Sequence, residues 1–157
     1  MPDQKHILIT GGAGFVAGML RKHWGTTYRL RLADINPVEN LADHEEFVQM
    51  DITALDEFRS ACEGIHTLIH LAADRSPRAD FYKTLLDLNI IGGYNAFHAA
   101  HEAGCKRIVF ASSVNAILGY KGETAVEWDV PIFPTNVYGA TKCWGEALGR
   151  VYAHQHG

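Results

Sequence analysis

The chain has 157 residues, of which 47% are hydrophobic and 20% charged, with a formal net charge of −4. These values fit one soluble globular domain and leave no basic footprint for nucleic acid or an anionic membrane. Cys62, Cys105 and Cys143 lie far apart with no Cys-x-x-Cys, so neither a disulfide framework nor a zinc site is indicated, and a reduced, cytoplasmic setting fits.

The lead Met1-Pro-Asp-Gln-Lys-His runs straight into an apolar stretch without the basic-then-apolar pattern of a secretory leader. No apolar run approaches the roughly 18 residues of a spanning helix. Residues 5–10 (KHILIT) read as a short buried strand stopped by Gly11. Phe15, Val16, Met19, Leu20 and Trp24 then recur at helical spacing over 14–24. Strands are predicted at 28–34 and 47–51, a short helix at 54–63, a strand at 66–73, a long helix at 79–103 and a fifth strand at 107–113. Residues 114–135, with Gly119, Gly122, Pro131 and Pro134, read as a long irregular segment and hence a functional candidate. A helix over 136–155 closes the chain. Strict alternation of strand and helix implies an α/β fold with parallel strands joined by right-handed crossovers.

Two motifs carry the chemistry. In the first, Gly11 directly follows a strand and permits a tight turn, and Gly14 lets the backbone approach a diphosphate. The helix behind them points its free N–H groups and positive dipole end at the anion. The third small position is Ala17 followed by Gly18. Asp34 lies 23 residues after Gly11 at the end of the second strand, where a carboxylate bonds both adenosine ribose hydroxyls and repels a 2′-phosphate. No Arg follows it directly, which favours NAD over NADP. The second motif is Tyr138-Gly-Ala-Thr-Lys142, which puts a phenol and an ammonium on one helix face. A neighbouring positive charge favours the phenolate, so Tyr138 can act as a base. The fifth strand ends in Ser112 and Ser113, at the carboxyl edge where open parallel sheets bind ligands.

The histidines are weighed against metal binding and set aside. His66 and His70 are four apart on a strand pattern, too far apart to share an ion. His98, His101, His154 and His156 read as helix-surface residues.

The chain resembles the extended short-chain dehydrogenases/reductases, also called the NAD-dependent epimerase/dehydratase family, over nearly its whole length. The resemblance is carried by TGGAGFVAG (10–18), LAD (32–34), MDI (50–52), HLAA (70–73), LNIIGGYNAFHAA (88–100), RIVFASS (107–113) and YGATKCWGEALGRVYA (138–153). It implies a Rossmann-type doubly wound sheet of about five strands in the order 3-2-1-4-5, and NAD as cofactor. Phe15 and Val16 would add backbone contacts to the pyrophosphate. Asp51 and Ile52 would flank the adenine, and Leu71, Ala72 and Ala73 would line the middle of the cofactor. Asn89 would steady the loop after the fourth strand. Ser113 would be the catalytic hydroxyl, with Ser112 as the alternative, and Tyr138 and Lys142 would complete the set while also holding the cofactor.

Within the family the wording is most similar to hexuronate dehydrogenases, which oxidise the anomeric hydroxyl of a uronic acid. The runner-up is a nucleotide-sugar epimerase or dehydratase, and a non-catalytic dinucleotide-binding module or inactive fragment stands as the third reading. The sequence departs from the hexuronate pattern at Val114-Asn115 and at Asp74-Arg75-Ser76. There Arg75 or Arg78 could bind a carboxylate, although a solvated charged loop is the favoured reading. Full members run on into further strands and a substrate lobe, so residues 1–157 are expected to be the NAD-binding part, truncated after the Tyr-x-x-x-Lys helix. Apolar stripes on helices 79–103 and 136–155 make a homodimer through those helices an expectation on equal terms with core packing.

Overall fold

The computed structural model describes residues 4–120, 122, 126–127 and 129–157; the remaining positions, in the N-terminal lead and in the 114–135 segment, lie outside the described residues. Its strands and helices follow in the order β1 (His6–Thr10), α1 (Phe15–Trp24), β2 (Arg29–Asp34), β3 (Glu45–Gln49), α2 (Leu55–Cys62) and β4 (Thr67–His70). A π-wound segment (Phe81–Ile91) runs into α3 (Gly92–Glu102), followed by β5 (Arg107–Phe110) and α4 (Val137–His156). The five strands are all parallel in the order β3-β2-β1-β4-β5, the doubly wound arrangement expected.

Both faces of the central strands β1, β2 and β4 are largely buried, as strands between two helical layers demand, while the edge strand β5 leaves Arg107 and Val109 exposed. Ile7, Ile9, Leu30, Leu32 and Ile69 pack with Ala17 of α1 on one face. Leu8, Ala33 and Leu68 pack on the other with Phe58 and Cys62 of α2 and with Ala96, Ala99 and Ala100 of α3. Ala17 is fully buried, whereas a Cβ on Gly18 would meet nothing within 4 Å. The small residue that lets helix approach sheet is therefore Ala17.

Four boundaries differ from expectation for physical reasons. The third strand is Glu45–Gln49 instead of 47–51, because its two glutamates are neutralised within the fold. Glu45 takes a two-pronged ion pair from Arg21 of α1 at 2.6 and 2.9 Å, and Glu46 is paired with Arg31 of β2 at 2.6 Å. Arg21 holds the Glu45 carboxyl below its ordinary range. The strands predicted at 66–73 and 107–113 stop at His70 and Phe110, where the chain leaves the ladder to build the carboxyl edge. The predicted helix over 79–103 starts at Phe81, capped by the Asp80 side chain accepting from Lys83 N at 3.0 Å, and its first half is wound with i→i−5 bonds. Within the expected irregular segment, Val114–Ala116 and Leu118–Tyr120 form short 3₁₀ turns. Among the described residues no helix is long and apolar enough to cross a membrane, and no group of three or more ligand side chains could hold a metal ion.

Candidate functional site

A groove of about 480 Å³ opens at the carboxyl edge of the sheet, between the exits of β1, β2, β3 and β4. Gly11, Gly14, Phe15, Val16, Asp34, Asp51, Ile52, Leu71, Ala72 and Ala73 all line it. Its floor is the turn after β1. Gly11 has φ +73°, and a Cβ there would lie 3.0 Å from the Ala72 amide nitrogen, so the turn admits no side chain. A Cβ on Gly14 would press on the Gly11 carbonyl at 3.0 Å. The N-terminus of α1 has neither a side-chain cap nor an acidic residue in its first turn, which leaves its first-turn amides and dipole available to the groove. Phe15 is 78% exposed beside the groove, an apolar surface that a bound ligand would cover.

Asp34 stands at one side of the groove. One carboxylate oxygen accepts from Ala13 N at 3.1 Å and the other from Asn36 N at 2.9 Å, which fixes the acid against the glycine turn. Asp51 turns on itself, accepting from Thr53 N and Thr53 Oγ1 at 2.9 and 2.8 Å. Ile52 is buried under Gly92 of α3, whose missing side chain makes room for it.

Asn89, Tyr138 and Lys142 do not line this groove. Asn89 is buried, and its amide is consumed by the protein: it accepts from Asp74 N at 2.8 Å and donates to Asp74 O and Thr141 Oγ1, each at 3.0 Å. Tyr138 and Lys142 occupy the first turns of α4 on the β5 side of the same edge. Lys142 Nζ donates to the Ala111 carbonyl at 3.0 Å, lies 5.8 Å from the centre of the Tyr138 ring, and sits over Phe110 at 5.0 Å. Burial pushes the Lys142 ammonium down to about 8.

The two serines diverge. Ser112 bonds Glu146 of α4 and is occupied there. Ser113 Oγ accepts from Asn115 N and Asn115 Nδ2, both at 3.2 Å, and among the described residues its own proton has no acceptor. A second hollow of about 600 Å³ lies between the C-terminal halves of α3 and α4 and β5, and gathers none of the candidate residues.

Residues 7–157 match the NAD dependent epimerase/dehydratase family. The chain belongs to that family. It is 36% identical over 155 residues to uronate dehydrogenase of Agrobacterium fabrum, covering 98% of this chain and 57% of the relative. Against uronate dehydrogenase of Pseudomonas putida it is 33% identical over 153 residues, covering 96% and 56%. The solved structure of an Agrobacterium tumefaciens uronate dehydrogenase mutant complexed with NAD superposes with a TM-score of 0.86 at 34% identity, over 98% of this chain and 58% of that one. The chain thus spans a little over half the length of the relatives it matches.

In this member of the family, several residues that build the site were not singled out from the sequence. Asn136 caps α4 by accepting from Gly139 N at 2.7 Å, and its amide donates to Asn115 Oδ1 at 2.8 Å, binding the Tyr138 turn to the Ser113 turn. An Asn three residues before a helical Gly is a capping pattern that could have been read. Thr10 Oγ1 bonds His70 Nδ1 at 2.8 Å and accepts from Ala72 N at 3.3 Å, which stitches β1 to β4 beneath the groove. Burial, and then the Lys142 charge, push the His70 imidazole down to about 3, so it is neutral. Thr84 had no sequence signature, and Asp74 stood out only as part of Asp74-Arg75-Ser76, with no positioning role attached to it.

Proposed function

We propose that the chain is the cofactor-binding part of an NAD-dependent oxidoreductase that oxidises a sugar or sugar acid in the manner of a uronate dehydrogenase. The observation that carries this reading is the arrangement at one sheet edge: a side-chain-free turn with Asp34 beside it, and Ser113, Tyr138 and Lys142 on the opposite flank. The residues present fit NAD. The Gly11–Gly14 turn and the free N-terminus of α1 suit a pyrophosphate, Asp34 suits an unphosphorylated ribose, and Ile52, Leu71, Ala72 and Ala73 offer apolar walls. When bound, NAD supplies the hydride acceptor. The protein's own part is proton handling and orientation. The Ser113 proton is donated to the substrate oxygen, Tyr138 accepts the proton of the reacting hydroxyl, and Lys142 holds positive charge beside it.

The test is Tyr138→Phe assayed with NAD and hexuronates: turnover falls by at least about 100-fold while NAD affinity stays within twofold. Unchanged turnover would remove the mechanism. The alternative, a nucleotide-sugar epimerase or dehydratase, uses the same cofactor and the same Tyr-Lys pair, and is distinguished by product formation without NADH accumulating. Tight NAD binding with no turnover of any sugar or nucleotide sugar would favour a non-catalytic module. We also place homodimerisation through helices 79–103 and 136–155 in this proposal. Tyr82, Tyr94 and Val151 are exposed on them, and sedimentation at micromolar concentration tests it.

A further inference from the structure

We infer that Arg75 is a specificity-determining residue that pairs with an anionic group on the substrate, and that Asp74 is the positioning residue that holds it there; this rests on the oxidoreductase reading above. The charges around the groove are divided by the topology. Asp51 and Asp34 leave β3 and β2 on one side of the Gly11 turn, and Arg75 leaves β4 on the other. That second flank is the one shared with Ser113 and Tyr138, where a substrate must lie to be oxidised. Among the described residues, Arg75 is the one cationic side chain lining the groove. None of the ion pairs among the described residues engages it, although the chain as a whole is acidic.

The loop carrying Arg75 is held in a way that a solvated loop does not require. Asp74 Oδ2 accepts from Thr84 Oγ1 at 2.7 Å, and Oδ1 accepts from Ser76 N at 2.9 Å. The Asp74 backbone N–H and carbonyl are both taken by the Asn89 amide. Asn89 also bonds Thr141, whose hydroxyl donates to the Tyr138 carbonyl at 2.7 Å. A chain of hydrogen bonds therefore runs from the base of Arg75 to the backbone of the proposed catalytic tyrosine.

The winding of the segment behind the loop makes this possible. Thr84 and Asn89 are five residues apart, on different sides of an α-helix but one turn apart in a π-helix, and Phe81–Ile91 is π-wound. Both side chains thus reach the same residue. π-Turns cost hydrogen-bond quality, and here the winding serves to fix the loop beside the groove.

A guanidinium fixed at its base and, among the described residues, without an ion-pair partner at its tip suits a carboxylate or phosphate, which it can hold with two parallel N–H bonds. The shared ligand chemistry is an oxyanion carried by a sugar. Steady-state kinetics with NAD on a hexuronate, the corresponding neutral hexose and a hexose phosphate separate the sources. For the wild type, an anionic sugar is expected to be preferred. Arg75→Ala should raise its KM roughly 10- to 100-fold and leave the KM of the neutral hexose and the Kd of NAD within about twofold. Arg75→Lys should recover part of the loss. Whichever anion loses the preference names the group.

A fall in NAD affinity in Arg75→Ala would assign the guanidinium to the cofactor and overturn the inference, as would equal effects on acidic and neutral sugars. Turnover without preference for an anion would overturn it and leave the oxidoreductase reading standing. Absence of binding or turnover of every sugar by a protein that binds NAD would overturn both.

Discussion

Lys142 Nζ, sunk at the start of α4, donates to the Ala111 carbonyl where the chain leaves β5, at 3.0 Å. This bond holds a charge at a buried place at a cost to stability. The ammonium falls from 10.5 to about 8 because burial disfavours the charged form. Below pH about 8 both folded and unfolded chains carry the proton, and the penalty is fully present. Between about 8 and 10.5 the unfolded chain binds more protons than the folded one, so stability rises with pH. Lys142→Met should be more stable than the wild type at pH 7 by about 1–2 kcal/mol, with the gap closing above pH 10, and should lose turnover. Urea titrations across pH 6–11 check it.

His70 gives a dependence of the same sign at acid pH. Its imidazole lies between Phe58 and Phe110, bonds Thr10, and is pushed from 6.5 to about 3 by burial first and the Lys142 charge second. Below pH 6.5 the unfolded chain gains a proton that the folded chain refuses. The stability tied to the neutral ring is whole above 6.5 and is lost as pH falls toward 3. His70→Gln, which keeps an acceptor for Thr10, should flatten the acid limb by of order 3 kcal/mol. An unchanged acid limb would place the sensitive group elsewhere.

How much of this was readable in the residue string depends on whether the feature is local. The glycine turn, Ala17 and Asp34 were readable because each answers to a constraint within a few positions: a tight turn, a close helix and a strand end. β3 was misplaced because Glu45 and Glu46 look like loop residues until Arg21 and Arg31 are brought beside them. The π winding was invisible for a similar reason. Leu85 and Leu88 satisfy an α-helical stripe equally well, and the partner that favours the other winding, Asp74, is ten residues from Thr84 in the chain. The residues alone leave Ser112 and Ser113 open and the resemblance favours Ser113; that Glu146 occupies Ser112 depends on α4 packing beside the end of β5, which no local pattern announces.

The groove's selectivity should yield to one substitution. Asp34 both anchors the glycine turn through Ala13 N and presents negative charge to the groove. Asp34→Ala should weaken NAD binding about tenfold and bring NADP affinity close to it, since repulsion of a 2′-phosphate disappears along with the ribose acceptor. Fluorescence titration with both cofactors measures the ratio. A preserved preference for NAD would show that Asp34 does not set it.

Two glycines should respond in opposite directions. A Cβ on Gly139 would lie 2.3 Å from the Asn115 carbonyl oxygen, so α4 can meet the Ser113 turn only without a side chain there. Gly139→Ala should cost about 1–3 kcal/mol and displace Tyr138, lowering turnover more than NAD affinity. Gly18 is interior to α1, with open space around its missing side chain. Gly18→Ala should therefore gain about 0.5–1 kcal/mol and leave NAD binding intact. Thermal melts and NAD titrations on the pair decide both.

The lock on the Arg75 loop should behave as one unit. Thr84→Val keeps the volume and removes the proton donated to Asp74, at an expected cost of about 1 kcal/mol. Asn89→Ala strips both backbone partners from Asp74 and the bond to Thr141, and should cost more. Because both side chains act on the same loop residue, the double variant should lose less than the sum of the two, by about 0.5 kcal/mol or more. Strict additivity would mean that Thr84 and Asn89 are independent, and the π turn would then have no shared purpose in holding Asp74. In the assay with acidic sugar, Thr84→Val should raise KM severalfold with NAD affinity unchanged, because it loosens the base of Arg75 without touching the glycine turn.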